Sequence, residues 1–366
     1  MKKLISSLLF ASLLILPANP IFAANESVSF FDALGNFSKV EDYKLVQSLY
    51  GSAEFDDGTD RVGGEFKITV SSAVDSGDAD SSSNRINAYL KFVNRNAVTD
   101  ATPFKEMTVQ ASVELITKNK TEMYAKLNNF NVSLKDGLPF ALTDIKDAKS
   151  MIDSYKGVWY HTKAEELATE TLPTDTATQI DVNKYIGLEE QFKKDPKEAV
   201  LGLTDLILQD SESGMTKDEM SNVKDAIKLA FDTKFFTVRP VTAGQNTGFN
   251  FFTLNKSSVI SFLSQFATLM GEELNTDDVT MVRSVLGKFS LSGLYRIDDV
   301  YGLIDNLMIR FKIGETGPVK NLELNYRYKA TDLNKNNVIS APSEFQELSD
   351  VMGAPVETGT DTESGL

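Results

Sequence analysis

The sequence predicts an α+β fold built on one large, strongly curved antiparallel β-sheet, a half-barrel with helices covering its concave face. Three observations carry that expectation. Many segments alternate apolar and polar residues with a period of two, as strands with one buried face do. None of them is the unbroken apolar run of a parallel strand buried on both faces. About ten such segments exceed what a flat sheet usually holds, so the sheet must curl or split. Segments of helical period cluster mid-chain, where they can roof it.

The chain opens Met1-Lys2-Lys3, runs through apolar residues to Leu16, and reaches the small-residue end Phe22, Ala23, Ala24. A basic start, a short apolar stretch and a small-residue site make a cleavable secretory signal over residues 1–24. A membrane anchor needs about 20 apolar residues, and Pro17, Asn19 and Pro20 interrupt this run. The expectation is an extracytoplasmic protein, periplasmic or secreted, soluble after cleavage and with no integral membrane segment in the mature chain. The sequence holds no cysteine, which excludes disulfides, thiolate metal sites, cysteine nucleophiles and a lipid-modified cysteine after the cleavage site.

Residues 25–353 are expected to form a single domain with a helical insertion at about 181–233, and residues 354–366 a disordered tail too polar to bury itself. The chain carries 37 basic and 52 acidic residues, a net charge of −15. Such a surface repels phosphate backbones, so nucleic acid is no partner.

Element by element, Phe31, Leu34, Phe37, Val40, Tyr43, Val46 and Leu49 fall at helical spacing and predict a helix within 29–50. Strands follow. Phe66, Ile68 and Val70 alternate with polar neighbours, as do Ile86, Ala88, Leu90 and Phe92. Residues 75–84 between them, rich in Ser, Asp and Gly, read as a loop. Met107, Val109, Ala111, Val113 and Leu115 alternate most cleanly, and Asn119-Lys120 turns that strand into a hairpin partner over 123–134.

The period then becomes helical. Ile145, Ala148, Met151, Ile152 and Tyr155 share a face of a helix over 144–155, with Thr143 as its cap. Helices continue through 181–232, carrying Val223, Ala226, Ile227, Ala230 and Phe231. Residues 235–254 return to strand character, with 244–248 as the turn. Ser257 or Ser258 caps a helix bearing Val259, Phe262, Leu263, Phe266, Leu269 and Met270, and a second follows over 276–286. Three half-buried strands close the pattern, around Phe289 to Ile297, Leu307 to Ile313 and Leu322 to Tyr328, before a short helix at 344–352.

Chemistry-bearing motifs are few. The single histidine, His161, would have to be both ligand and base, and reads instead as a partly exposed strand residue. Residues 332–337 place oxygen-bearing side chains like the start of a calcium loop, but Asn337 stands where glycine is needed and Ser343 where the bidentate glutamate should be. They read as a polar turn. The adjacent pairs Glu189 with Glu190, Glu272 with Glu273 and Asp298 with Asp299 point apart, whereas glycoside hydrolysis needs two carboxyls facing one bond. No phosphate-cradling glycine loop or Gly-x-Ser-x-Gly turn occurs. The expectation is no catalytic residue, no metal ligand, no cofactor and no enzyme.

At Tyr155, Gly157, Trp159 and Tyr160 a helix gives way to a Gly-x-Trp-Tyr strand, and the chain ends in long strands followed by Asn336-Asn337-Val338-Ile339 and Pro342. In this layout it resembles the lipoprotein-carrier superfamily that includes LolA and the LppX and LprG type. That resemblance implies a bent antiparallel half-barrel, closed by helices, around a hydrophobic cavity for acyl chains. The chain differs in lacking the anchored members' lipobox cysteine and in its longer central helical region.

A secreted or periplasmic binding protein for a lipid or other apolar small molecule is the resulting expectation, with an envelope protein as a further partner. The ligand-binding candidates are the inward residues Phe92, Val109, Val113, Leu291, Tyr295, Ile309, Phe311 and Leu324 with Phe262 and Phe266 from a helix. Two alternatives stand beside it: an extracytoplasmic structural or interaction protein with a filled core, and a hydrolase using carboxylates.

Overall fold

The computed structural model describes residues 40–75, 81–99, 103–119, 121–163 and 217–352, together with helical positions 198, 201, 202 and 204. The signal segment 1–24, most of the 181–216 helical stretch and the 354–366 tail lie outside the described residues.

The strands are β1 (Asp42–Asp56), β2 (Arg61–Asp75), β3 (Ser81–Asn94), β4 (Glu106–Lys118), β5 (Glu122–Lys135), β6 (Trp159–Lys163), β7 (Phe236–Pro240), β8 (Asn250–Leu254), β9 (Phe289–Ile297), β10 (Ile304–Ile313), β11 (Val319–Thr331) and β12 (Gln346–Glu347). Helices are α1 (Pro139–Asp153), α2 (Lys217–Asp232), α3 (Lys256–Leu269), α4 (Thr276–Gly287) and α5 (Leu348–Met352). The strands form one open 12-stranded sheet in the order β12-β6-β5-β4-β3-β2-β1-β11-β10-β9-β8-β7. All neighbours are antiparallel except β12 and β6. The fold is therefore α+β, a curved half-barrel as the alternation predicts.

Register sorts the side chains into two faces. The row Phe252, Gly293, Ile309, Tyr326, Leu49, Ile68, Ala88, Ala111 and Phe130 runs across nine strands and is apolar apart from one phenol. One residue along, the row Arg310, Asn325, Tyr50, Lys67, Tyr89, Gln110 and Asn131 lies on the other face. One side of the sheet thus supplies apolar surface and the other polar. Helix α3 lies on the apolar side: its Phe262 meets Phe235 edge to face at 5.1 Å, and Phe235 in turn packs on the sheet's core.

That core is concentrated at the β7–β11 end. Phe236, Phe252, Leu291, Tyr295 and Ile304 are buried together, with Leu307, Ile309, Phe311 and Tyr328 against them. Phe252 reaches its place because Gly293 lies under the ring: a Cβ there would stand 2.4 Å from Phe252 Cζ and 2.1 Å from the Met308 carbonyl oxygen. A strand glycine here marks close approach of ring and backbone.

The structure corrects five local expectations. The helix foreseen within 29–50 is, from Asp42 on, strand β1. The spacing of Tyr43, Val46 and Leu49 is helical by coincidence. What decides is pairing on both sides, Tyr50 with Lys67 of β2 and with Asn325 of β11, contacts remote in sequence that local periodicity does not register. The loop 75–84 shrinks because Asp75 already pairs with Ser81. Helix α1 starts earlier, with Pro139 in its first turn and Leu138 at its N-cap. Proline favours that position because its missing N–H has no helical partner there. Thr143 donates instead to the Pro139 carbonyl, within the helix. The cap of α3 is Asn255, whose side chain accepts from the Ser258 N–H at 3.2 Å. Finally, the helix expected at 344–352 divides into β12 and α5.

Candidate apolar site

An open apolar pocket of ≈ 520 Å³ lies on the apolar face where the sheet ends at β4, β5 and β6. Its floor is Val113 of β4 with Ala125, Lys126 and Leu127 of β5; Tyr155 and Tyr160 form one wall and Leu348 and Val351 of α5 another. This size falls within the range of small-molecule sites, which are mostly apolar with a few polar groups.

A β-bulge builds the floor. Register passes from Ser112 opposite Asn129 to Val113 opposite Leu127, so Asn128 is the extra residue on β5. Simple alternation from Phe130 would have turned Asn128 and Lys126 inward. The bulge instead returns Leu127 and Ala125 to the apolar face, the re-aiming that bulges commonly provide. Lys126 consequently points to the polar face, where its Nζ lies 3.0 Å from Glu114 and 4.6 Å from the centre of the Trp159 ring. Burial pushes the Glu114 carboxyl up, but Arg85 and Lys126 more than offset this and hold it below the usual carboxylate range.

The wall depends on Gly157. Its φ of 78° turns the chain from the end of α1 into β6, and its N–H donates to the Leu127 carbonyl at 2.8 Å. Tyr155 and Tyr160, on either side of that turn, come to 6.2 Å between ring centres.

His161 anchors the far wall and lies outside the pocket. It is buried, not partly exposed as foreseen, on the polar face beside Tyr124 (4.7 Å) and Phe345 (5.0 Å). Its Nδ1 donates to Glu347 Oε2 at 2.9 Å, tying β12 to the sheet and so placing α5 over the pocket, while Nε2 is buried with no hydrogen-bond partner among the described residues.

Beyond the pocket the apolar face continues uncovered among the described residues. Leu49, Ile68 and Leu90 on β1, β2 and β3 are 39%, 40% and 46% exposed. Polar groups on this face include the Ser72–Asn84 pair, Gln47 and a band of phenols: Ser72 donates to Asn84 Oδ1 at 2.7 Å, Tyr326 donates to Gln47 Oε1 at 3.4 Å, and burial raises the hydroxyls of Tyr43, Tyr326, Tyr328 and Tyr295 above the ordinary tyrosine value.

The expected ligand-binding residues divide. Phe92, Val109, Val113, Leu291, Tyr295, Ile309, Phe311 and Leu324 all lie on the one apolar face. Only Val113 lines the pocket. Leu291 and Tyr295 are core members, Tyr295 being 1% exposed, and Ile309 and Phe311 pack against them. Phe262 is buried and stacks on Phe266 at 6.1 Å. Sequence reasoning left Ala125, Leu127, Leu348 and Val351 off the candidates; the bulge and the strand exchange at β12 that bring them in have no local signature.

The remaining polar motifs have structural partners. Asp332 pairs with Lys44 at 2.9 Å, which lowers its carboxyl, and Asn337 donates to the Val74 carbonyl, so residues 332–337 form a polar turn. Asp298 accepts from the backbone N–H groups of Val300 and Tyr301 and closes the turn before β10. Glu189 and Glu190 lie outside the described residues. Among the described residues no cluster of His, Asp and Glu suits a metal ion, and no helix is long and apolar enough to cross a membrane. No protein-family model matches the chain, and no curated protein sequence matches it.

Proposed function

We infer that this protein is a secreted or periplasmic binding protein that holds a lipid or other apolar small molecule against the apolar face of its sheet. The observation that carries the reading is the bulge-built pocket over Val113, Ala125 and Leu127, continuous in face with exposed Leu49, Ile68 and Leu90. Each methylene buried there contributes about 0.8 kcal/mol, so an acyl chain can be held without a charged anchor. The hydroxyls of Tyr155 and Tyr160 suit the polar end of such a molecule. The lipoprotein-carrier resemblance points the same way, because its Gly-x-Trp-Tyr stretch provides one wall of the pocket. No catalytic step is assigned.

Solvent extraction of the purified protein followed by mass spectrometry, together with titration of a fluorescent fatty acid, tests this. A co-purifying lipid is expected, and Val113→Glu should weaken probe binding at least tenfold with its melting temperature little changed. An empty extract and a probe that never binds would sink the reading. Export is tested by sequencing the N-terminus of protein made with its leader, which should begin after Ala23 or Ala24.

A second reading has its own observation. The β7–β11 end is packed shut by Phe236, Phe252, Leu291 and Tyr295, as in a scaffold that presents surfaces and carries no cargo. An interaction protein of that kind would retain its behaviour when Val113 is charged.

A further inference from the structure

The polar face carries a second depression, of ≈ 630 Å³, over the strands where the two halves of the sheet meet. Register puts Asn325, Tyr50, Lys67 and Tyr89 in one row across β11, β1, β2 and β3. Neighbouring strands lie about 4.8 Å apart, so the two tyrosines stand about 10 Å from each other on the same side. Both are half-buried, set into the surface.

Charge pairing distinguishes this spot from its surroundings. Several strand cations around it are matched by carboxylates: Lys91 with Glu106, and Arg310 and Lys312 with Glu323. Within it, Lys67 and Arg327 make no ion pair among the described residues; the Arg327 guanidinium lies 5.5 Å from the centre of the Tyr50 ring. Glu65, across from Ser52 on the same side, adds an acceptor. Two aromatic rings are thus flanked by the exposed cations Lys67 and Arg327, by the exposed carboxylate of Glu65, which also faces Lys91 across the strands, and by Asn325, which donates to Glu323 at 3.1 Å and keeps its amide oxygen as an acceptor.

We propose that this depression is a binding site for neutral saccharides in which Tyr50 and Tyr89 stack against sugar rings while Lys67, Arg327, Asn325 and Glu65 hydrogen-bond their hydroxyls. A hydroxyl both donates and accepts, so it satisfies this mixed lining. A phosphate or sulfate only accepts; it would face Glu65 and Glu323 and a chain of net charge −15, which disfavours polyanions. The site is on the opposite side of the sheet from the apolar pocket, and the two stand or fall separately.

Titration calorimetry of the full chain with neutral oligosaccharides, a cello- and a chito-hexaose, is the test, with hyaluronan and a single-stranded oligonucleotide as polyanion controls. A neutral hexaose should bind with an affinity that changes less than twofold between low and high salt. Tyr89→Ala should weaken it at least tenfold, Arg327→Gln several-fold, and Val113→Glu not at all. Hydroxyl-radical footprinting of the unmodified protein provides a readout that does not depend on variants folding: the sugar should protect Tyr50 and Tyr89. No binding at millimolar neutral sugar, binding indifferent to Tyr89→Ala without protection of either ring, or binding confined to the polyanions would each overturn the proposal.

Discussion

At Gly293 a single missing methyl group decides how the core closes. Alanine there would drive a Cβ into the Phe252 ring and the Met308 carbonyl at once, and the second contact is backbone and cannot rotate away. Overpacking of this kind costs about 2–3 kcal/mol, and Gly293→Ala should lower the urea midpoint accordingly without changing the slope. A loss below about 1 kcal/mol would mean that the ring repacks freely. Arg296 is the charged counterpart. Its Nε donates to Asp305 Oδ1 at 3.0 Å, and it lies 5.5 Å from the Phe249 ring centre, while the Asp305 side chain is only 10% exposed. Removing the arginine strands a desolvated carboxylate. Since Arg296 is itself half in water, the cost of Arg296→Ala should be about 2 kcal/mol, less than for a fully buried pair. Asp305→Asn, which keeps an acceptor, should cost less; the reverse order in thermal unfolding would contradict this account.

Between elements, the decisive device is the β5 bulge. Deleting Asn128, the unpaired residue, would leave a regular strand with Leu127 and Ala125 still opposite Val113 and Leu115 on the apolar face, because it removes the extra residue without a slip of the strand beyond it. The expected result is a variant that keeps both the sheet and fatty-acid probe binding, which hydrogen exchange and fluorescence together would reveal; loss of binding would mean that the pocket depends on the bulge's local twist and not on which face its floor residues take. On the polar side, β10 and β11 are joined by Glu323, whose carboxyl the hydrogen bonds from Lys312 and Asn325 bring down to about 2 from an ordinary 4.5. A carboxyl lowered in the folded state contributes fully above its unfolded value and loses that contribution as pH falls toward its folded one. The window is therefore about pH 4.5 down to about 2, and stability drops on acidification within it. Solvent screening keeps the effect below about 1 kcal/mol. Glu323→Gln should bring wild type and variant closer in stability at pH 2.5 than at pH 7; a constant gap would show that the network does not titrate. Asn275, which caps α4 through a reciprocal capping box with Asp278, should cost about 1 kcal/mol when replaced by alanine.

For the whole molecule, the two ends of the sheet differ in how their apolar face is used. The β7–β11 end is closed by its own aromatic side chains, whereas the β1–β6 end leaves Leu49, Ile68 and Leu90 in contact with solvent among the described residues. Amides of β9 and β10 should accordingly exchange most slowly, and those of β12 and α5, held by two residue pairs and the His161–Glu347 bond, fastest. Binding of an apolar ligand at the pocket should slow exchange in β12 and α5 and raise the melting temperature; slowing confined to β7–β9 would place the ligand elsewhere.

Features that are local in origin were legible in the chain alone. Alternation in β2 to β4 and β9 to β11 fixed their state and their inward faces, the glycines at 244 and 248 marked the β7–β8 turn, and composition excluded thiol and disulfide chemistry. Whatever depends on residues far apart in the chain was settled by folding. Strand β1 exists because β2 and β11 pair with it from both sides, against a spacing that reads as helical. Val113 became a pocket residue, and Tyr295 a core residue, although both alternate equally well, because a bulge and a short C-terminal strand open one end of the face while Phe252 over Gly293 fills the other. Period states which way a side chain points; packing between distant segments decides what it meets there.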